Sequence, residues 1–427
     1  MKPKLGFVAL GNPNLDAARE DAKLVLSRLR RLELDVVAVE KMTWRTPDEI
    51  PTIAEGLKEE LDLLLVLSTT AATSLCIAEL SERVPYPLLV WALPTRYAVA
   101  SSAAAIGYLR ERGKQLAYLA RSVDDEEAYQ RVLDLANLHH TIKRVRKSRV
   151  GILGGLSPYI LSSRIKEGAW DKFGISFIKL TKEEVDESLK EVKDEEVDEF
   201  AENISKSFKV AVNRRTLMNA SRFHLALKRL MKKYRLDAFS VECWTNLVPS
   251  YRVNPCFGHF ENIIYGCEGD LPLVLTSLIL RYLTGITPFL SDPYGMNYHE
   301  NVLTLCHCSA PLELSPSLED VIVMGRTPVG APELKDVTAF CNIPLKKGPA
   351  TIFRIQGSSL DKAHLALGEV VASKRIDGNM CVDVRLKGGL DSFIQAMEGQ
   401  HYLLVYGDVS RRIRELCKLY KLELLET

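Results

Sequence analysis

The segment from Tyr265 to Pro311 carries acidic, histidine and cysteine side chains in a pattern that could support metal binding or proton transfer. Glu268 lies in the run CEGD (267–270), Asp292 ends the run FLSD (289–292), and His307 stands between two cysteines. Carboxylates and imidazoles exchange protons in enzymes and bind divalent cations through oxygen and nitrogen. This segment is therefore the main candidate for a functional site.

Each acid also has an ordinary structural interpretation. Glu268 or Asp270 comes just before a predicted helix, where exposed amides and the helix dipole favour a carboxylate. Asp292 follows the apolar strand Pro288–Leu290, at its carboxyl end. Because ligands bind at the carboxyl ends of strands in open parallel sheets, Glu268 and Asp292 could converge at one sheet edge. Both interpretations stay open on the residues alone.

The nine cysteines do not form a recognisable metal or disulfide pattern. They are scattered along the chain without a CxxC pair, which disfavours both a structural zinc ribbon and a disulfide framework. A zinc site at residues 306–308 is also disfavoured, because neighbouring residues on a strand point to opposite faces. We expect most of these thiols to pack as small buried side chains.

Strands and helices alternate in the part of the chain that would position the acids, and this pattern predicts parallel, doubly wound sheets. After about residue 305, short strands follow one another with little room for helices, which predicts an antiparallel barrel or sandwich. The predicted architecture is α/β: two doubly wound, Rossmann-like domains (1–148 and 149–305) followed by a β-rich, barrel-like carboxyl-terminal domain (306–427). The strands predicted in that last domain are Val321–Met324, Val337–Ile343, Thr351–Ile355, Leu367–Ala372, Cys381–Leu386 and Tyr402–Tyr406.

Composition excludes several classes of protein. Lys and Arg total 56 against 55 for Asp and Glu in 427 residues, and this balance argues against a nucleic-acid partner. No apolar run reaches about 18 residues, so a membrane span is not expected. The first residues lack the pattern of a signal peptide, and we expect a cytoplasmic protein. The glycine-rich run 151–155 has neither the GxGxxG spacing nor the GxxxxGK[ST] spacing of phosphate-binding loops. It is therefore interpreted as a tight turn.

The segment CEGD, followed by a helix and then by TPFLSD, resembles the corresponding segment of the L-fucose isomerase and L-arabinose isomerase superfamily. In the fucose branch a second acid follows the motif glutamate by 24 residues, and Glu268 and Asp292 are separated by the same interval. The runs ENV (300–302) and HCSAP (307–311) are similar to the family's E-N and HC-x-x-P segments, and QHY (400–402) is similar to the segment that holds its last metal-ligand histidine. The resemblance covers roughly residues 238–408. The chain departs from it at Leu271–Leu275, where the family often has small residues, and this departure could change the sugar pocket.

The resemblance implies a metal site and a pair of catalytic carboxylates. Glu268, Asp292 and His401 would bind a divalent cation, with Mn²⁺ as the expected ion because mixed oxygen and nitrogen ligands with open positions suit it. Glu268 and Asp292 would also shuttle protons.

Three further residues are predicted near the substrate. His307 would be a metal ligand, a sugar contact or a core residue. Glu242 and Trp244 end the strand Ala238–Val241, where a polar contact and a sugar-stacking aromatic ring would be in place. A packed tryptophan is the commoner outcome at such a position.

The implied function is aldose–ketose isomerisation of an open-chain monosaccharide of the L-fucose or L-arabinose type, in a homo-oligomer, a trimer or hexamer. The reaction passes through an enediol, whose charge a divalent metal can stabilise as a Lewis acid. Two alternatives stay open. One is a non-catalytic sugar-binding protein, because two α/β domains with a cleft are also typical of periplasmic-type binding proteins. The other is an isomerase of a sulfonated or phosphorylated sugar on the same scaffold.

Overall fold

The computed structural model describes residues 2–325, 338–376 and 378–427. Its chain divides into two compact units, residues 1–143 and 144–427. The predicted boundaries at 148/149 and 305/306 stay predictions. Among the described residues, no helix is both long and apolar enough to cross a membrane.

The first unit contains one parallel sheet flanked by helices. Its five strands pair in the order β2-β1-β3-β4-β5, and the central strand β3 is buried along its whole length, as expected for a strand covered on both faces. The helices bury one apolar stripe each; in α1 the buried residues recur at helical spacing. The elements are β1 (Lys4–Leu10), α1 (Asp16–Leu29), β2 (Asp35–Thr43), α2 (Ile50–Glu55), β3 (Leu63–Ser68), α3 (Ser74–Arg83), β4 (Leu88–Ala92), α4 (Ala98–Glu111) and β5 (Leu116–Ala120), followed by α5 (Glu126–Lys147).

The second unit begins with another α/β segment. The elements are β6 (Arg149–Leu153), β7 (Ser176–Leu180), α6 (Lys182–Glu191), α7 (Asp194–Ser207), β8 (Lys209–Val210), α8 (Arg214–Tyr234), β9 (Ala238–Val241), α9 (Val248–Tyr251), β10 (Ile264–Cys267) and α10 (Leu271–Thr284). The strands β10-β9-β6-β7 form a four-stranded parallel sheet. Short 3₁₀ segments occupy Leu161–Ser163, Pro255–Glu261 and Leu312–Leu314, and one π-helical turn covers Cys243–Leu247.

The remaining elements form a closed barrel and a small separate sheet. They are β11 (Phe289–Asn297), β12 (Val302–His307), β13 (Ile322–Gly325), β14 (Ala339–Asn342), β15 (Gly348–Gln356), β16 (Lys362–Ile376), β17 (Asn379–Leu386), α11 (Leu390–Gln395), β18 (Tyr402–Tyr406), α12 (Ser410–Tyr420) and β19 (Glu423–Glu426). Six antiparallel strands pair in the order β15-β18-β11-β12-β17-β16, and β16 pairs back to β15 to close the ring. Helix α10, buried on nearly all sides, packs against both this barrel and the parallel strands β9 and β10.

The predicted fold class is confirmed: parallel α/β sheets precede an antiparallel barrel. Two local predictions differ from the structure. The strand that carries Asp292 is not in the parallel sheet; it is β11, which pairs antiparallel with β12 and β18 in the barrel. The strands predicted near 321–343 belong to the small sheet β14-β13-β8 instead of the barrel, and Val337 lies outside the described residues.

Two cysteines are bridged, although the cysteine spacing did not suggest a disulfide framework. Cys306 and Cys381 form a disulfide between β12 and β17, where the two residues lie directly opposite each other in the ladder. Sequence spacing could not indicate this pair, because the two cysteines are 75 residues apart and only strand pairing makes them neighbours. The other seven cysteines are not part of a disulfide.

Candidate active site

The turn between β10 and α10 carries the first predicted acid. Glu268 has a left-handed backbone conformation (φ 56°), and Gly269 follows in the same region (φ 73°). A Cβ on residue 269 would lie 2.7 Å from the carbonyl oxygen of Gly155, so glycine is required where the two turns meet. The turn predicted after β6 thus packs against the turn that presents Glu268 at the carboxyl end of β10.

Asp270 forms the centre of a buried ionic network. Its side chain is fully buried and caps α10, since Oδ1 accepts a hydrogen bond from the amide of Leu273 at 3.2 Å. Oδ2 accepts hydrogen bonds from Arg354 Nη1 at 3.0 Å and from His401 Nδ1 at 3.0 Å. Burial alone would raise the pKa of Asp270, but the Arg354 charge and the His401 hydrogen bond hold that pKa well below its ordinary value. Asp270 is therefore an ionised anchor as well as a cap.

Arg354 completes this network from the barrel. Its guanidinium is fully buried in β15 and also donates to the backbone carbonyl of His401 at 2.6 Å. A Cβ on Gly399 would lie 2.5 Å from the guanidinium, so the chain can pass Arg354 only with glycine there. A buried cation paired on both sides fixes the geometry of its partners, because losing either contact would leave an uncompensated charge.

His401 is oriented by these contacts. With Nδ1 donating to Asp270, the neutral ring has its lone pair on Nε2, the arrangement found in metal sites backed by a carboxylate. Nε2 is buried, lies 3.6 Å from Asp292 Oδ1, and has no hydrogen-bond partner among the described residues. Burial lowers the pKa of His401, but the carboxylates of Asp292, Asp270 and Glu268 together raise it above its ordinary value. The carboxylates that favour a positive charge on this ring would equally favour a cation bound at Nε2.

Asp292, His307 and His401 offer one oxygen and two nitrogens that all lie within 4.8 Å of one another. Asp292 lies on β11 directly opposite Cys306 of β12, and His307 is the last residue of β12. The rings of His307 and His401 have their centroids 6.0 Å apart at an angle of 67°. One carboxylate with two imidazoles is a ligand set that first-row divalent metals bind. The donor set fits a divalent cation, and so does His401 Nε2, which has no hydrogen-bond partner in the part of the chain that the structure describes.

Glu268 lies in the same charge cluster, half-buried. Gln400 donates a hydrogen bond to Glu268 Oε2 at 3.3 Å, which connects this carboxylate to the residue before His401. Burial raises the pKa of Glu268, the His401 charge opposes that change, and the charges of Asp292 and Glu242 raise the pKa further. Glu268 is not part of the three-residue group above, and its role as a metal ligand stays a prediction.

Glu242 and Trp244 lie at the end of β9, beside the turn of Glu268. Glu242 is fully buried; its Oε2 accepts hydrogen bonds from the amide and hydroxyl of Thr245, at 2.9 and 2.7 Å. Its Oε1 has no hydrogen-bond partner among the described residues. Trp244 is 41% exposed and lines a small cavity together with Glu268. Both side chains are near the site, and their contact with a substrate stays a prediction.

Sequence reasoning missed two parts of this arrangement. Asp270 was interpreted only as a possible helix cap, although its second oxygen holds His401. Arg354 was not placed, yet an arginine inside the apolar run TIFRI is itself a signal, since a charge on a buried strand needs a buried partner. The structure brings Glu268, Asp292, His307 and His401 together across two different sheets.

The related proteins found by comparison with known sequences all carry the same name. No family model matches the chain. A sulfoquinovose isomerase of Alkalicoccus urumqiensis is 24% identical over 405 residues, which cover 89% of each chain. One from Priestia megaterium is 23% identical over 88% of this chain and 90% of its own, and one from Clostridium sp. strain MSTE9 is 20% identical over 98% of both. These relatives confirm the prediction that the chain is an isomerase enzyme, in preference to a non-catalytic binding protein.

Proposed function

We propose that this protein is a metal-dependent aldose–ketose isomerase acting on an open-chain sulfonated sugar. The observation that carries the proposal is the convergence of Asp292, His307 and His401. The His401 ring is oriented by its hydrogen bond to Asp270, which in turn is paired with Arg354. The relatives named sulfoquinovose isomerase support the reaction class and favour a sulfonated substrate over the L-fucose or L-arabinose type. This choice takes up one of the two alternatives that the sequence left open.

Asp292, His307 and His401 would hold the cation, with Glu268 as a further ligand. Mn²⁺ suits such a mixed set of carboxylate and imidazole ligands. When bound, the ion would act as a Lewis acid that stabilises the negative charge developing on the sugar oxygens during isomerisation. Asp270 keeps the His401 ring in one tautomer, and Arg354 keeps Asp270 ionised, so the ligand is oriented before the cation arrives.

Proton transfer is assigned to Glu268. Its carboxylate lies next to the ligand group and is half-buried, so it can reach a sugar carbon while being shielded from bulk water. Asp292, 40% exposed at its side chain, would manage the protons on the sugar oxygens from the other side of the cluster. Glu242, whose Oε1 has no described partner, would accept a hydrogen bond from a sugar hydroxyl, and Trp244 would stack on the carbon chain.

The proposal is tested with the purified full chain, stripped of metal and assayed with sulfoquinovose, glucose and L-fucose. We expect no turnover without metal, recovery with Mn²⁺, and the highest kcat/KM on the sulfonated sugar. In D₂O, an enediol path places deuterium at C1 of the ketose product, whereas a hydride shift does not. A chelated enzyme that works at full rate would contradict the metal role, and equal kcat/KM on all three sugars would contradict the substrate class.

The assembly is proposed separately. The homo-oligomer, a trimer or hexamer, and the cytoplasmic location both stay predictions. Sedimentation equilibrium of the purified chain measures the first directly, and a monomer at assay concentrations with full activity would contradict it.

A further inference from the structure

Four cysteines that the proposed reaction does not use lie together beside the site. The sulfurs of Cys243 and Cys267 are 3.5 Å apart, and Cys256 hydrogen-bonds with both Cys267 and Cys308. They come from four separate segments: the π-helical turn, the 3₁₀ segment 255–261, the end of β10 and the residue after β12. Three are buried and Cys308 is half-buried. We call these four residues the thiol cluster.

His307 brings an imidazole to one end of the thiol cluster. The ligand atoms of Cys256, His307 and Cys308 all lie within 4.8 Å of one another. In a tetrahedral zinc site, metal–sulfur bonds of about 2.3 Å place neighbouring sulfurs roughly 3.8 Å apart, so only a small adjustment would be needed. Neighbouring residues on a strand point to opposite faces, which argued against a metal site that uses both His307 and Cys308. That alternation does not extend to Cys308, because β12 ends at His307 and Cys308 lies beyond the strand.

A small cavity gives access to the thiol cluster from the side of the active site. Its volume is about 30 Å³, enough for one ion or water molecule, and its lining includes Cys243, Cys267 and Cys308 together with Glu268 and Trp244. A cation in this cavity would therefore lie beside the sulfurs of Cys243, Cys267 and Cys308 and beside Glu268.

We propose that Cys256, His307 and Cys308 form a second metal site, which takes a soft or borderline divalent cation such as Zn²⁺ or Cd²⁺. Two thiolates and one imidazole favour such cations, whereas the group of Asp292, His307 and His401 offers only oxygen and nitrogen. His307 belongs to both groups. A soft cation is for this reason an expected inhibitor of the isomerase, a consequence that rests on the proposed function, whereas the binding itself does not.

The test is a Cd²⁺ titration of the reduced, metal-free full chain, followed by the ultraviolet charge-transfer absorption of cadmium thiolate. We expect a stoichiometric thiolate band in the wild type. Cys256→Ser and Cys308→Ser should each lose about half of this absorbance, and loss of a direct ligand should weaken Cd²⁺ binding by more than the roughly 10- to 100-fold typical of losing an outer-shell partner. Asp292→Asn should keep the band, since it removes no sulfur.

Cys417→Ser is the matched control, because Cys417 is a buried free thiol in α12 outside the thiol cluster. It should leave the band and the Cd²⁺ affinity unchanged. Cadmium-113 NMR of the wild type counts bound sulfurs by chemical shift and decides the case even if a serine variant fails to fold. Absence of a thiolate band, a cadmium shift typical of oxygen and nitrogen ligands alone, or a full band in both serine variants would overturn the second site.

Discussion

The two parallel sheets of the chain end in loops of different chemistry. In residues 1–143, strand β3 ends in hydroxyls that bind one another: Ser68 Oγ and Thr73 Oγ1 are 2.9 Å apart, and both groups are buried. In residues 144–427, strands β9 and β10 end at the carboxylates of Glu242 and Glu268. All three are carboxyl ends of parallel strands. The end of β3 carries hydroxyls, whereas the ends of β9 and β10 carry carboxylates.

The difference indicates which polar groups serve the fold and which are left for a ligand. The hydroxyls of Ser68 and Thr73 contact each other, and Thr73 Oγ1 also lies 3.1 Å from Ser101 Oγ, so these groups have their partners within the fold. In the second unit, Glu242 Oε1 and His401 Nε2 are buried and have no hydrogen-bond partner among the described residues. Buried polar atoms without partners cost free energy, and at these two positions, beside the candidate ligand group, a bound ligand would supply the missing contact.

The largest effect should come from breaking the ionic network behind His401. In Arg354→Met the buried Asp270 carboxylate loses its cation, and we expect the free energy of unfolding to fall by about 3–5 kcal/mol. Urea denaturation measures this change. Arg385→Met, on the exposed side of β17, is the control and should stay within about 0.5 kcal/mol of wild type. Equal stabilities would show that the network contributes little to the fold.

Next, Asp292→Asn should separate the effect on activity from the effect on stability within the candidate site. Its carboxylate is half-buried beside His401 Nε2, so the amide removes a charge from the ligand group without changing its shape. We expect kcat/KM to fall by at least about 100-fold and the bound metal to be lost, with little change in unfolding free energy. Element analysis and a steady-state assay measure both, with the exposed Asp391→Asn as control. A variant with wild-type metal content and rate would remove Asp292 from the site.

A smaller effect, dependent on pH, is expected in the first unit. Burial of His139 lowers its pKa from 6.5 to about 4, although Asp62 partly opposes this. The folded state therefore binds fewer protons than the unfolded state between these values, and stability falls as the pH drops from 6.5 towards 4, on the order of 2 kcal/mol. His139→Gln should flatten this part of the stability curve, and His299→Gln, at an exposed position, should not. If the unfolding free energy of His139→Gln and of wild type depended on pH with the same slope between pH 4 and 6.5, His139 would not be the group responsible.

The smallest effect should come from the paired hydroxyls. Thr73→Val keeps the shape of the side chain and removes the hydroxyl contacts to Ser68 and Ser101, which should cost about 1 kcal/mol of unfolding free energy. Metal content should not change. Loss of metal in Thr73→Val would mean that the hydroxyl edge has a functional role, and it would weaken the contrast drawn between the two sheets.

Much of the fold was accessible from local sequence patterns. Continuous apolar runs predicted buried parallel strands, because a strand covered on both faces has no polar side; the run predicted at Leu61–Leu67 corresponds to β3 at Leu63–Ser68. The acid turn at Glu268 and the spacing to Asp292 were also visible, since both depend on nearby residues. These features are set by the chain within one or two elements.

Only the tertiary structure decided how the candidate site is built. Asp292 belongs to a barrel strand, and the bond between Asp270 and His401 joins residues 131 positions apart, while Arg354 reaches Asp270 across 84. Contacts of this range depend on barrel closure and on the packing of α10 between two sheets, and no local pattern encodes them. The sequence by itself determined which side chains could do chemistry. The closed barrel determined which of them meet, because burial of the ionic network requires both sheets to be in place.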